Sequence, residues 1–185
     1  MDRGADGYRR YLSGDDTGLV SLVEEYKDGL MLFLNGYVSD LLLAEELTEE
    51  TFFRLIIKKP RFSGKSSFKS FLYAIGRNVT VDYLRRHAKV VSLSAPDLEA
   101  QMTGAVQLEQ EYLRKEQSIE VHRALMTLPA DYRQVLLLKH FEGFSNKEIA
   151  LVMKKSDRQI KNLLYRAGAA MRHKLSKEGF PYEEC

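Results

Sequence analysis

Between Ser156 and Arg166 the sequence SDRQIKNLLYR places Asp157, Arg158, Lys161, Asn162, Tyr165 and Arg166 along one side of a helix. Guanidinium, ammonium, carboxamide and carboxylate groups at that spacing are the side chains that hydrogen-bond base edges and phosphates in a DNA major groove. The opposite side carries Ile160, Leu163, Leu164, Ala167 and Met171 at three- and four-residue steps, an apolar face that needs a core to bury it. The chemistry this pattern suits is recognition rather than catalysis. The blander alternative for the same residues is an amphipathic hairpin with a solvated basic face.

Two helix starts position that face. Ser145 with Glu148, and eleven residues later Ser156 with Gln159, have the spacing of a capping box, in which each side chain satisfies an orphan amide at a helix start. Ile149, Ala150 and Met153 give the first helix its apolar side, and short Ala150 suits the close approach of two steeply crossed helices. From Phe144 to Leu175 the chain therefore reads as a helix-turn-helix.

The charge is unevenly distributed along the 185 residues, although the net is only +2. Residues 1–53 hold 4 Lys/Arg against 12 Asp/Glu, and residues 54–89 hold 10 against one. Residues 90–153 are mildly acidic, while 154–177 hold 8 basic residues against one acid. Two basic blocks with an acidic face elsewhere fit two contacts along a polyanion and a different partner for the acids. With 44% hydrophobic residues, 4 prolines and 12 glycines the chain can bury a core and does not suit a turn-rich β fold. Cys185 is the lone cysteine, which excludes a disulfide framework and a cysteine metal site and fits a reducing cytoplasm. No apolar run is long enough to span a bilayer, and MDRGADGYRR lacks the apolar core of a secretion signal. No Ser-His-Asp or Cys-His constellation stands out, the histidines are too scattered to hold a metal, and no cofactor is implied.

In chain order, Asp16 or Thr17 is the expected cap for a helix over 19–36. A second helix, from about Ser39 to Lys59, has Leu42, Leu43, Leu47, Phe52, Leu55 and Ile56 as its expected core and Glu45, Glu46, Glu49 and Glu50 outside. Pro60 ends it. The loop KKPRFSGKSS is basic with Phe62 in its middle, a composition that can hold an unstacked base, or tuck the ring into the core. The helix Phe68 to Lys89 should bury Phe71, Leu72, Ile75, Val79 and Leu84 and present Lys69, Tyr73, Arg77, Arg85 and Arg86. Residues 90–107 lose all periodicity. A helix follows from about Leu108 to Thr127, and Pro129 starts another through Phe141.

Three motifs in this order resemble bacterial RNA polymerase sigma factors of the sigma-70 family. Ala44-Glu45-Glu46-Leu47-Thr48-Glu49-Glu50-Thr51-Phe52 is similar to the family's A-E-D-L-x-Q-x-x-F. Phe71-Leu72-Tyr73-Ala74-Ile75-Gly76-Arg77-Asn78, with Asp82, Leu84, Arg85 and Arg86, is similar to its W-L-x-x-I-A-R-N-x-x-x-D-x-L-R-R. Leu128-Pro129, Arg133, Glu142-Gly143, Ser145, Glu148-Ile149-Ala150, Ser156, Ile160-Lys161 and Arg166-Ala167 match its C-terminal helix-turn-helix. With nothing between the two parts, the plan resembles the small extracytoplasmic-function (ECF) group. Phe71 stands for the usual Trp, Glu46 for Asp, Glu49 for Gln, Lys154 for a turn Gly, and Leu163 for a polar residue.

The resemblance implies an all-α fold of two small helical domains joined by a flexible linker: 1–89, a linker over 90–115, a helix-turn-helix domain over 116–178, and a tail over 179–185. It implies that Glu45, Glu46, Leu47 and Glu49 dock the clamp helices of the polymerase largest subunit, with the flap as a second contact. It implies that Phe62, Lys65, Ser66, Lys69, Tyr73, Arg77 and Asn78 open and hold the −10 element. Ser156, Asp157, Arg158, Gln159, Lys161, Asn162 and Arg166 would read the −35 duplex. Expected partners are the polymerase core, promoter DNA and an anti-sigma factor, in the cytoplasm. The competing readings are a stand-alone helix-turn-helix regulator and an all-α adaptor with no DNA role.

Overall fold

The computed structural model describes residues 2–91 and 116–177; side chains at 89–91, 116–120 and 177 are outside that description. The expected tail and all of the expected linker except Val90 and Val91 lie outside the described residues, as does the first part of the helix expected from Leu108. Every regular element described is helical: α1 (Arg3–Leu12), α2 (Thr17–Val38), α3 (Leu41–Lys58), α4 (Phe68–Val91), α5 (Glu116–Met126), α6 (Ala130–Leu136), α7 (Asn146–Met153) and α8 (Asp157–Lys177). A π-helical turn, Leu137–Phe141, extends α6.

α1 was not anticipated. Its ten residues include Gly4 and Gly7, poor helix formers, but both are packing positions. A Cβ on Gly7 would sit 3.2 Å from the Gly18 carbonyl, so Gly7 and Gly18 let α1 and α2 approach backbone to backbone, while one on Gly4 would meet Phe68 and Tyr26. Asp2 supplies the missing start signal twice. One carboxylate oxygen accepts from the Ala5 amide at 3.1 Å and the other from the Phe68 amide at 2.7 Å, tying α1 to the start of α4.

The cap expected from Asp16 or Thr17 is provided instead by Asp15. Its carboxylate accepts from the Thr17 amide (3.0 Å), the Thr17 hydroxyl (2.5 Å) and Arg10 Nε (2.9 Å), while Asp16 makes no side-chain cap bond. These hydrogen bonds, from the Thr17 hydroxyl first and then Arg10, hold the Asp15 carboxyl below its ordinary pKa.

On α3 the buried stripe is Leu41, Ala44, Leu47, Thr48, Thr51, Phe52 and Leu55. Leu42, expected in the core, is 74% exposed because it falls one residue off that stripe, in line with Glu46, Glu49 and Phe53. Leu84, far along α4, is 37% exposed. The remaining expected apolar positions of α2, α3 and α4 are buried or half-buried.

The halves do not stand apart. Buried residues of α1–α4 and of α5–α8 form one continuous apolar cluster, with α4 against α7 and α2 against α6.

Candidate nucleic-acid interface

Both capping boxes form. The Ser145 amide donates to the Glu148 carboxylate at 2.9 Å, and the Glu148 amide to Ser145 Oγ at 3.3 Å. The Ser156 amide donates to Gln159 Oε1 at 2.7 Å, and the Gln159 amide to Ser156 Oγ at 3.2 Å. These pairs fix where α7 and α8 begin. Between them, Lys154 ends α7 in the left-handed region at φ 53°, ψ 45°. The usual turn geometry is kept even without glycine, at a steric cost to the lysine backbone.

Ile160 and Ala167 are fully buried and Met171 nearly so, with Leu163 and Leu164 half-buried. That rotation turns Ser156, Asp157, Arg158, Gln159, Lys161, Asn162 and Arg166 outward, every one of them exposed. Tyr165 on the same face is 76% exposed. Lys155, Gln159, Asn162, Leu163 and Arg166 line a shallow groove of about 240 Å³. Lys161 pairs with Asp157 at 3.0 Å, a solvated pair of the kind that contributes little to stability. Lys155, a turn residue that the sequence reading did not single out, pairs with Asp131 at 3.0 Å beside the groove.

The second basic cluster is arranged differently. Lys65 is exposed and Ser66 half-exposed, on the loop before α4. Phe62 is half-buried, its ring centroid 5.6 Å from Phe68 and 5.3 Å from Phe71, so the ring belongs to an aromatic cluster that also includes Tyr8. Arg77 and Asn78 are half-buried. Burial pushes the Tyr37 phenol up to about 12, and the Arg77 guanidinium that hydrogen-bonds it acts in the opposite sense.

Tyr73, expected on an accessible face, is fully buried. Its hydroxyl donates to Glu142 at 2.7 Å and its ring meets Phe144 at 5.2 Å, so the C-terminal helices cover it. Lys69 joins the same group, 2.7 Å from the Glu142 carboxylate.

Leu42, Glu46, Glu49 and Phe53 share an exposed face of α3, with Glu45 half-buried beside them. Glu46, Glu49 and Phe53 border a groove of about 580 Å³ that Val23, Lys27 and Ile56 complete. Leu47 does not reach this surface. At 4% exposure it packs inward and supports the face from beneath. Phe53, 57% exposed, was missed because an apolar residue beside Phe52 reads as core.

A bundle of helices with a helix-turn-helix whose recognition face is exposed defines a DNA-binding protein class, and comparison with known proteins narrows it. Residues 22–90 match the model of sigma-70 region 2 and residues 118–171 that of sigma-70 region 4. The ECF RNA polymerase sigma factor SigC of Mycobacterium tuberculosis is 31% identical over 139 residues, covering 75% of this chain and 73% of that protein. SigM of Bacillus subtilis, also an ECF RNA polymerase sigma factor, is 29% identical over 146 residues, 79% of this chain and 88% of its own. The chain belongs to the sigma-70 family of RNA polymerase sigma factors, in its ECF group. In fold it resembles the sigma factor RpoE of Bartonella quintana, solved with the anti-sigma factor NepR, with a TM-score of 0.64 at 22% identity over 83% of this chain and 94% of that one. CnrH, solved with the cytosolic domain of CnrY, gives 0.65 at 20% identity over 96% and 99%. Among the described residues no helix is long and apolar enough to cross a membrane.

Proposed function

We propose that this sigma factor divides promoter recognition between its halves, with residues 1–89 as the −10 and polymerase-docking unit and 116–178 as the −35 unit. The observation that carries the proposal is the fully exposed recognition face of α8, oriented by two formed capping boxes. Arg158, Lys161, Asn162 and Arg166 provide base-edge and phosphate donors, Ser156, Asp157 and Gln159 complete the helix start, and Lys155 adds a phosphate contact from the turn. Lys65, Ser66, Lys69, Arg77 and Asn78 hold the melted −10 strand, with half-buried Phe62 as its aromatic surface, while Tyr73, buried under Glu142 and Phe144, supports α4 from beneath.

Glu45, Glu46 and Glu49 dock the clamp helices of the polymerase largest subunit. Exposed Leu42 and Phe53 give that acidic face an apolar contact, and Leu47 fixes its shape. The polymerase core makes the phosphodiester bonds, the flap takes the −35 unit, and the chain works in the cytoplasm. An anti-sigma factor is the proposed regulator, consistent with the complexes in which the two structural neighbours were solved.

Run-off transcription with purified core polymerase on a randomised promoter pool tests this reading. Discrete transcripts that require the chain are expected. No transcripts, together with tight operator binding by the chain alone, would establish a stand-alone regulator instead.

A further inference from the structure

Helix α1 lies ahead of the segment that matches sigma-70 region 2, which begins at residue 22. Its buried side does more than fill the core, because it meets the loop between α3 and α4, residues 59–67, at both ends. That loop has no helix or strand of its own, and a Cβ added at Gly64 would stand in open space. Its order therefore comes from its two ends and from Phe62.

At the first end, α3 stops on Lys59 in the left-handed region, with the Lys59 ammonium 5.3 Å from the centre of the Tyr11 ring. One residue further, the Pro60 carbonyl accepts from the Tyr8 hydroxyl at 2.8 Å. Tyr8 is fully buried, where a hydrogen bond competes less with water. At the other end, Asp2 accepts from the Phe68 amide at 2.7 Å, and a Cβ on Gly4 would stand 2.6 Å from the Phe68 ring. Between the ends, Phe62 packs on Phe68 and Phe71. The Tyr8 ring lies against the same two rings, 5.2 Å from Phe68 and 6.3 Å from Phe71. One side chain of α1 thus holds the start of the loop through its hydroxyl and the floor under Phe62 through its ring.

A loop that becomes ordered only on binding gives up affinity to the entropy of ordering, and a loop held beforehand does not. We propose that α1 is a brace for the strand-reading loop and that Tyr8 is its positioning residue. The hydroxyl fixes where the loop leaves α3, and the ring fixes the Phe68 and Phe71 floor, so that Phe62, Lys65 and Ser66 meet the melted strand in a preset arrangement. This rests on the assignment of −10 contacts to that loop. Buried itself, Tyr8 acts only through Pro60, Phe68 and Phe71.

The test uses the full chain with Tyr8→Phe, which removes the hydroxyl alone, and Tyr8→Leu, which removes the ring as well. Hydrogen exchange on the free chains reads the brace without any promoter. In Tyr8→Phe the amides of residues 61–67 should exchange about fivefold faster, the scale of one hydrogen bond, with a larger effect in Tyr8→Leu and none in α8. Circular dichroism checks that both variants stay helical, and Tyr8→Phe carries the test alone if Tyr8→Leu does not fold.

Holoenzymes made with core polymerase then transcribe a promoter recovered from the randomised pool, together with its single-base variants. A matched −10 strand engages the ordered loop and a mismatched one does not, so loosening the loop falls on the matched promoter. Preference at −10 positions should drop by up to about fivefold in Tyr8→Phe and further in Tyr8→Leu, while preference at −35 positions stays as in the wild type. Unchanged exchange over the loop, or faster exchange with −10 preference intact, overturns the brace and leaves the sigma reading standing. Equal losses at −10 and −35 overturn it as well, since they mark a general loosening of the fold. If the wild-type chain directs no transcripts, the sigma reading fails and the positioning role with it.

Discussion

Glu148 accepts a hydrogen bond from the Ser67 hydroxyl, 81 residues earlier in the chain, at 2.5 Å, while also closing the capping box of α7. One carboxylate thus fixes the start of the helix-turn-helix and holds that helix to the loop before α4. Burial alone would push its pKa up, but hydrogen bonds from the Ser67 hydroxyl, the Ser145 amide and hydroxyl, and the Ser70 hydroxyl together outweigh it, so the carboxyl lies below the ordinary glutamate range.

A pH dependence follows from that direction. A folded-state pKa below the unfolded value, about 4.3 for glutamate, stabilises the protein fully above that value and less as pH falls through the folded pKa. Glu148→Gln preserves the capping-box oxygen but loses the charge, so at pH 7 it should be less stable by under about 1 kcal/mol, given the partial solvent exposure. The gap between the two proteins should close as the solution is acidified below about pH 4. Denaturant melts at several pH values measure it, and a gap that persisted in acid would assign it to shape rather than charge.

Polymerase docking is tested on the acidic face of α3. Glu46→Arg reverses charge at an exposed position with no packing role, so thermal stability should be unchanged and affinity for core polymerase should fall at least tenfold, or about 1.4 kcal/mol. Phe53→Ala should lower it as well, without the salt sensitivity of the charge reversal. Binding of duplex DNA by the full chain should be unaffected in both. Loss of DNA binding alongside polymerase binding would mean the substitutions had disturbed the fold.

Recognition of the −35 element is tested at Arg158, exposed near the start of α8. Arg158→Ala should relax promoter discrimination at one base position, since a well-made base contact is worth about 1–3 kcal/mol. Lys161→Ala should instead weaken all promoters alike and reduce the salt dependence of binding, as expected for a phosphate contact. Transcription from a promoter library separates the two. Uniform weakening by Arg158→Ala would move that residue to the phosphate-contact class.

These assignments show what the sequence could and could not reveal. Which side of α8 faces outward was legible almost residue by residue, because capping boxes and apolar spacing are local and fix which way a helix faces. Helix α1 was not, since its evidence lies in glycines whose value is contact with α2 and in an Asp2 that also caps α4. Leu42 and Leu47 show the limit of periodicity: both are leucines in one helix, and a rotation of about one residue decided which is solvent-exposed and which supports the core. Tyr73 was misplaced for another reason. Its surroundings are set by Glu142 and Phe144, and no local pattern announces a partner some seventy residues away.

Asp2 tests whether α1 is integral to the fold. Asp2→Ala removes acceptors from two helix starts, the Ala5 amide and the Phe68 amide, and loss of a single cap costs about 0.5–2 kcal/mol. The loss should exceed that of an ordinary cap, and hydrogen exchange should quicken at the start of both α1 and α4. Quickening confined to α1 would show that the start of α4 is held by Ser67 alone.

The turn of the helix-turn-helix gives the last test. Lys154 is held at φ 53°, a conformation in which an L-residue's Cβ crowds the following carbonyl and glycine has no such penalty. Its side chain is exposed, so Lys154→Gly removes no packing. Relief of backbone crowding favours the variant, while the greater freedom of glycine in the unfolded chain opposes it. The crowding term is the larger at a left-handed cap, so stability should rise by up to about 1 kcal/mol. Duplex affinity should fall slightly through the lost charge, more at low salt than at high. A loss of stability in denaturant melts would show instead that the lysine stem makes contacts that outweigh the strain, and that this turn has adapted to its residue.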